Sequence, residues 1–318
     1  QSLAGLTARL LEGLDRALEA EQPDLVLAQG DTTTVLASAL ASFYRRVPFG
    51  HVEAGLRTHQ LDLPFPEEAN RVLAGHLAAL HFAPTPAARA NLLREGLPDA
   101  AIHVTGNTGI DALFLALERR EPLDLPLEPG QRLLLVTAHR RDSFGEPIRH
   151  ICRAIRELSQ RYRDVQILWP VHPNPSIQAV VKSYLAGLPR IHLCEPLPYG
   201  RFVSALQAAH LILTDSGGIQ EEAPALGKPV LVLRDRSERP EAIHAGVACL
   251  VGTSAERILA QAGLLLEDPK AYARMSVGAS PYGDGAASGR IVKAAQFYLQ
   301  SRAASSRQEA NHPGRKAA

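Results

Sequence analysis

Short, nearly unbroken apolar runs recur along this 318-residue chain, each followed by a polar turn and a helical stretch. They lie at 24–28, 48–52, 80–83, 133–136, 165–168, 191–194, 211–213, 229–233 and 249–251. Strands that read as continuous apolar runs, without alternation, are buried on both faces. When helices separate them, the result is a parallel sheet covered on both sides. Leu3, Leu6, Leu10, Leu11, Leu14 and Leu18 share one helical face, so 2–20 is expected to be an amphipathic helix. Further helices are expected at 35–44, 66–77, 86–95, 148–162 and 199–209. The stretch 117–130 is charged and rich in proline, as a linker would be. The fold class is therefore α/β, with two Rossmann-like doubly wound domains. The expected boundaries are 1–118, a linker at 119–130, a second domain at 131–300 and a disordered tail at 301–318. The last helix of 131–300 is free to pack back on the first domain. One feature does not fit a complete domain: the first element is a helix with no strand before it, whereas a doubly wound domain opens on a central strand.

Composition excludes several classes. Lys+Arg total 34 and Asp+Glu 33, a net charge of +1. The tail 301–318 holds four basic residues and one acidic, which leaves −2 for the rest. Such balance argues against a nucleic-acid or membrane-surface protein. No stretch approaches the ~18 continuous apolar residues of a membrane span, and the first residues do not read as a signal peptide. Cys152, Cys194 and Cys249 are odd in number and widely spaced, so a reducing cytoplasm is the expected compartment.

In open α/β sheets, ligands bind beyond the C-terminal strand ends. There the sequence places Asp31 with three threonines, His51 and Glu53, His139-Arg140-Arg141, His172, and Asp215-Ser216-Gly217-Gly218. GxGxxG, P-loop, HExxH and GxSxG motifs are absent. The run 215–222 is the strongest local signal. Backbone N–H groups at a glycine-rich helix start suit a phosphate, and Glu222, about one turn further on, suits a ribose diol. The same run also reads as an ordinary N-cap by Asp215 or Ser216. Asp31 could cap the following helix, and Glu67 could pair with Arg71 at i,i+4. His139-Arg140-Arg141 could bind anions, donate protons or be a solvated loop. His172 could be a loop histidine satisfied by backbone, and Arg239 could hold a ligand or start a helix.

Taken in order, the blocks resemble the non-hydrolysing UDP-N-acetylglucosamine 2-epimerase family from about residue 3 to 293. They are Gln29-Gly30-Asp31-Thr32-Thr33-Thr34, His51-Val52-Glu53-Ala54-Gly55-Leu56-Arg57, Pro66-Glu67-Glu68-Ala69-Asn70-Arg71, Thr105-Gly106-Asn107-Thr108, 139–145, 170–175, 215–222, Arg239-Pro240-Glu241-Ala242 and 281–285. The resemblance implies a glycosyltransferase-B-like fold with the active site in the interdomain cleft. It implies reversible epimerisation at carbon 2 of UDP-N-acetylglucosamine to UDP-N-acetylmannosamine, by elimination and re-addition of UDP through 2-acetamidoglucal, for cell-envelope polysaccharides. No metal and no nicotinamide cofactor are implied. The implied partners are UDP-N-acetylglucosamine, UDP and a second copy in a homodimer, with no nucleic acid and no membrane.

By position, the resemblance makes Asp31, Glu53, Glu67 and His139 catalytic. Asp31 and Glu67 would transfer protons, Glu53 would stabilise charge, and His139 would assist departure of UDP. Ser216, Gly217, Gly218, Glu222 and Arg239 would bind the nucleotide. Arg140 and His172 match an activator site of some bacterial members. The family opens on a strand ending in a Gly-Thr-Arg-Pro-Glu type motif, which is absent here, so an impaired chain is expected. The competing expectations are a hydrolysing relative, an inactive UDP-sugar-binding protein and a retaining glycosyltransferase.

Overall fold

The computed structural model describes residues 2–311 apart from 120, 126, 140–144, 238 and 279. The chain divides into one unit comprising Gln1–Thr108 and Gly285–Ala318, and a second comprising Gly109–Asp284.

The first unit contains α1 (Leu3–Glu21), β1 (Val26–Gln29), α2 (Thr33–Tyr44), β2 (Phe49–Val52), α3 (Glu67–Leu77), β3 (Leu80–Ala83), α4 (Pro86–Arg94) and β4 (Ile102–Val104). The late helix α13 (Ala287–Asn311) returns to it. Its strands form one parallel sheet in the order β1-β2-β3-β4. Because side chains alternate along a strand, β2 and β3 serve both faces. Phe49 packs with Val35, Ala39 and Ala74 of α2 and α3. Leu80 and Phe82 meet Ile291 of α13. Ala287, Ile291 and Ala295 of α13 are buried at four-residue spacing, a one-sided stripe. His51 and His81 are register partners on neighbouring strands, and both are buried. The leucine stripe of α1 meets α2, where Arg45 pairs with Asp15 at 2.5 Å, but no α1 residue is fully buried.

The second unit contains α5 (Thr108–Arg119, but for its first residue), β5 (Arg132–Thr137), α6 (Glu146–Arg161), β6 (Val165–Pro170), α7 (Pro175–Leu185) and β7 (Ile191–Cys194). It continues with α8 (Tyr199–Ala208), β8 (Ala209–Thr214), α9 (Gly217–Ala225), β9 (Val230–Val232), α10 (Pro240–His244), β10 (Ala248–Leu250), α11 (Ala255–Glu267) and α12 (Pro269–Met275). Its parallel sheet runs β10-β9-β8-β5-β6-β7. Alternate residues of β5 feed two cores. Leu134 and Val136 join α6, α7 and α11, while Leu133 and Leu135 join α5, α8 and α9. This explains the unbroken apolar run in the sequence. The strand order reverses at β5, whose neighbours are β6 and β8. The connections leaving β5 and β8 therefore diverge and open a crevice at the strand ends.

Three expectations change. Residues 109–118 belong with the second unit, because Ile110 and Phe114 of α5 pack in its core. The expected linker is also engaged: Leu123, Leu125 and Leu127 pack against the same core. The expected disordered tail is helical through Asn311, since α13 continues over 301–311. Alanine, arginine, glutamine and glutamate are good helix formers and extend a helix already nucleated on the sheet. Residues 312–318 of that tail lie outside the described residues.

Candidate functional site

Asp31 and Glu53 occupy the loops that leave β1 and β2, adjacent parallel strands. The β1 loop is latched to β2 from both sides of Gly30. The Gly30 N–H donates to the Val52 carbonyl at 3.1 Å, and His51 Nε2 lies 2.8 Å from the Gly30 carbonyl. That bond requires the proton on Nε2. Burial holds the His51 imidazole neutral, pushing it down to about 4. A Cβ built on Gly30 would sit 3.7 Å from Glu53 Oε2, so the Glu53 carboxylate reaches the β1 loop at the residue next to Asp31. Glu53 itself adopts a left-handed backbone, φ +65°, with the next N–H, of Ala54, bonded to the Phe82 carbonyl at 3.0 Å. Such a conformation in a non-glycine residue clusters at functional sites. Gly55 has no alternative: φ is +87°, and a Cβ would lie 2.3 Å from the Ala88 carbonyl oxygen.

Asp31 does not cap α2; Thr32 occupies that position. Its carboxylate forms an ion pair with Arg71, and its carbonyl accepts from Asn70 Nδ2 at 2.9 Å. The expected Glu67–Arg71 pair is replaced by Arg71 with Glu68, 3.2 Å apart. Glu68 is buried, and its Oε1 accepts from the N–H groups of Thr58 and His59 at 2.9 and 3.0 Å. One guanidinium thus fixes Asp31 while being fixed by Glu68 from behind. Glu67 opens α3 half-buried, with no ion-pair or hydrogen-bond partner among the described residues. It is left available to a ligand.

In the second unit the polar residues gather at the switch point. His139 follows β5, and Asp215 and Ser216 follow β8. Asp215 is fully buried. It accepts from the His139 backbone N–H at 2.8 Å and lies 3.3 Å from His139 Nδ1. The ring contact is one of proximity; the hydrogen bond between the two residues is the one from the His139 backbone N–H. The His139 ring is 41% exposed and stacks on His172 at 5.9 Å between centroids. His172 Nδ1 accepts from the Asn174 N–H at 3.2 Å. Arg140 lies outside the described residues.

Ser216 is the N-cap of α9 yet makes no side-chain cap bond. Its N–H donates to Thr214 Oγ1 at 2.9 Å, and Thr214 Oγ1 bonds Thr137 Oγ1 at 2.7 Å. Arg239 lies over the start of α9, with Nε 2.5 Å from Glu221 Oε1. A Cβ on Gly217 would come within 2.5 Å of Arg239 Nη1 and 2.7 Å of Cζ. Glycine at 217 is what lets the guanidinium settle there, and Gly218 leaves open space beside it. The positive helix end and the adjacent cation form an anion-directed surface. Further along α9, Glu222 accepts from the Tyr199 hydroxyl at 3.0 Å, and burial pushes its carboxyl up to about 7.

Asn70, Arg71, Glu68, Glu221 and Tyr199 were not singled out as site residues from sequence. The sequence offered Arg71 only as an i,i+4 partner of Glu67, and nothing in the chain marks it as the partner of Asp31, forty residues away.

Comparison with known proteins accounts for this arrangement. The family model described as UDP-N-acetylglucosamine 2-epimerase matches residues 1–296. The UDP-N-acetylglucosamine 2-epimerase of Salmonella typhimurium is 50% identical over 308 residues, spanning 94% of this chain and 82% of that protein. That of Escherichia coli K12 is 49% identical over 304 residues, spanning 92% and 81%. Among solved structures, the Neisseria meningitidis UDP-GlcNAc 2-epimerase bound to UDP-GlcNAc superposes with a TM-score of 0.88 at 44% identity, covering 93% of this chain and 82% of that one. The S. aureus MnaA–UDP co-structure gives 0.91 at 43%, covering 94% and 82%. The chain belongs to the UDP-N-acetylglucosamine 2-epimerase family.

Proposed function

We propose that this chain interconverts UDP-N-acetylglucosamine and UDP-N-acetylmannosamine. The observation that carries the reading is the pair of carboxylates Asp31 and Glu53 at adjacent strand ends, in a chain of this family. Carbon 2 of the sugar is not next to a carbonyl, so its proton is poorly acidic. Breaking the anomeric carbon–oxygen bond first sends the electron pair to UDP and leaves an oxocarbenium-like sugar. Its carbon 2 proton is far more acidic. A carboxylate takes that proton, giving 2-acetamidoglucal. An acid then returns a proton to the opposite face, and a UDP oxygen attacks carbon 1 again.

Asp31 and Glu67 transfer the protons. Glu53 faces the positive charge, as carboxylates do in glycosidases. His139, its backbone held by Asp215 and its ring partly exposed, assists the departing diphosphate. The α9 start at Ser216, Gly217 and Gly218, with Arg239, holds the diphosphate, and Glu222 takes the ribose. His172, stacked on His139, serves an activator site; Arg140, the other residue of that reading, lies outside the described residues. The enzyme works in the cytoplasm as a homodimer and supplies envelope polysaccharide synthesis. No helix among the described residues is long and apolar enough to cross a membrane.

The test is proton NMR of the reaction in D2O. The expected result is UDP-N-acetylmannosamine carrying deuterium at carbon 2. Free N-acetylmannosamine would instead identify the hydrolysing reaction, and UDP binding without deuterium entry a binding protein.

Replacing Gly217 by alanine places a Cβ against the Arg239 guanidinium. Calorimetry is expected to show UDP binding weakened about tenfold or more, from a displaced cation at the helix end. An unchanged affinity would remove Arg239 from the diphosphate site.

A further inference from the structure

Tyr199 opens α8 directly after Pro198, and its hydroxyl donates to Oε1 of Glu222 at 3.0 Å. Tyr199 is the one hydrogen-bond partner of Glu222 among the described residues. Burial disfavours the Glu222 carboxylate, and the Tyr199 hydrogen bond acts in the opposite direction, favouring the charged form. The Tyr199 phenol is in turn pushed up by burial and by the neighbouring Glu222 charge, so it stays a donor.

We propose that Tyr199 is a positioning residue that makes the Glu222 carboxylate select ribonucleotides over 2′-deoxyribonucleotides. The inference rests on the reading of Glu222 as the ribose ligand. A carboxylate offers about four lone-pair sites, all acceptors, only while it is ionised. Tyr199 takes one on Oε1 and fixes the plane of the group. The remaining sites on Oε1 and Oε2 then match two donors held side by side, as on the cis-diol of a ribose. A protonated carboxyl carries its own O–H, loses an acceptor and no longer matches that pair. A 2′-deoxyribose supplies one donor and leaves a partly buried acceptor unmatched, which disfavours it. Glu222 sits on α9 and Tyr199 on α8, two helices packed on the same face of the second sheet. The selectivity is therefore built into rigid elements rather than into a loop.

The experiment is calorimetric titration of the full chain with UDP and with 2′-deoxy-UDP at about pH 8, for the wild type, Tyr199→Phe, Glu222→Gln and the double variant. The wild type is expected to prefer UDP by about tenfold or more. Tyr199→Phe keeps the ring and is expected to narrow the preference below about threefold, mainly by weakening UDP. Adding Tyr199→Phe to Glu222→Gln is expected to cost nothing further, because the hydroxyl acts through the carboxylate. A Tyr199→Phe protein that keeps the full preference overturns the proposal. So does one that weakens both nucleotides equally, the mark of a purely structural role. A wild type that binds both nucleotides equally also overturns it while leaving the nucleotide site standing. A wild type that binds neither sinks the nucleotide reading itself.

Discussion

Asp31→Asn is expected to lower kcat by about 10³-fold while leaving UDP affinity within about twofold. General acid–base groups contribute roughly 10²–10⁴, and Asp31 has the further property of being fixed. Arg71 holds its carboxylate, Asn70 holds its backbone carbonyl, and Glu68 holds Arg71. Asparagine has the same shape, and the latch at Gly30 and the bond from Asn70 use only backbone atoms of this loop. The loop should therefore stay in place while the proton-transfer group is lost. The proposed UDP ligands all lie in the second unit, so nucleotide binding is the internal control. Initial rates by NMR and UDP calorimetry check both halves. A variant with raised KM and unchanged kcat would show that Asp31 binds substrate rather than moving protons.

Acid is expected to destabilise the first unit between about pH 6.5 and pH 4, with a fall in its thermal midpoint. His51 and His81 lie side by side on β2 and β3, at 0% and 1% exposure. Burial pushes both imidazoles from 6.5 down to about 4. A charge on His51 also opposes one on His81, and Arg57 opposes both. Well above pH 6.5 both are neutral whether folded or unfolded, so neither makes stability depend on pH there. Below it the unfolded chain takes up protons that the fold refuses. The loss grows until about pH 4 and reaches roughly 3 kcal/mol per histidine.

Glu222 has the opposite sign. Its folded value, about 7 against an ordinary 4.5, favours the second unit as pH falls, but burial pushes His210 of the same unit down to about 4, which costs stability over the same window. Calorimetric scans from pH 7 to about pH 4.5 should therefore show the first unit's transition falling further than the second's, where the Glu222 and His210 contributions offset each other. His81→Asn should remove about half of the first unit's acid loss. Hydrogen exchange should place the opening at β2 and β3. A first unit insensitive to pH over this range would contradict the buried neutral pair.

The strands were legible because a parallel sheet covered on both faces leaves an unbroken apolar signature. The reading of 191–194 as a strand coincides with β7, and the expected β6 extends only two residues beyond its reading, to Pro170. The division into units was less legible. Residues 117–130 have the composition of a linker, yet Leu123, Leu125 and Leu127 pack on the second core. Composition records polarity but not which side of an extended segment finds a partner.

The candidate site divided in the same way. Asp31, Glu53, Glu67, His139 and the 215–222 run stood out because polar residues and glycines interrupt apolar strands where ligands bind. Their partners did not stand out. Arg71 could pair with Glu67 on helical spacing alone, and the fold turned it to Glu68 and Asp31. The N-cap reading of Asp215 was equally reasonable locally, but the carboxylate is spent on His139. By itself, then, the amino-acid sequence determined the α/β class, the parallel sheets and the chemical identity of the site residues, all of which follow from local periodicity and residue type. Tertiary structure alone decided which charge faces which, because an ion pair depends on distance through space, and residues forty to seventy-six positions apart are brought within reach only when the strands align.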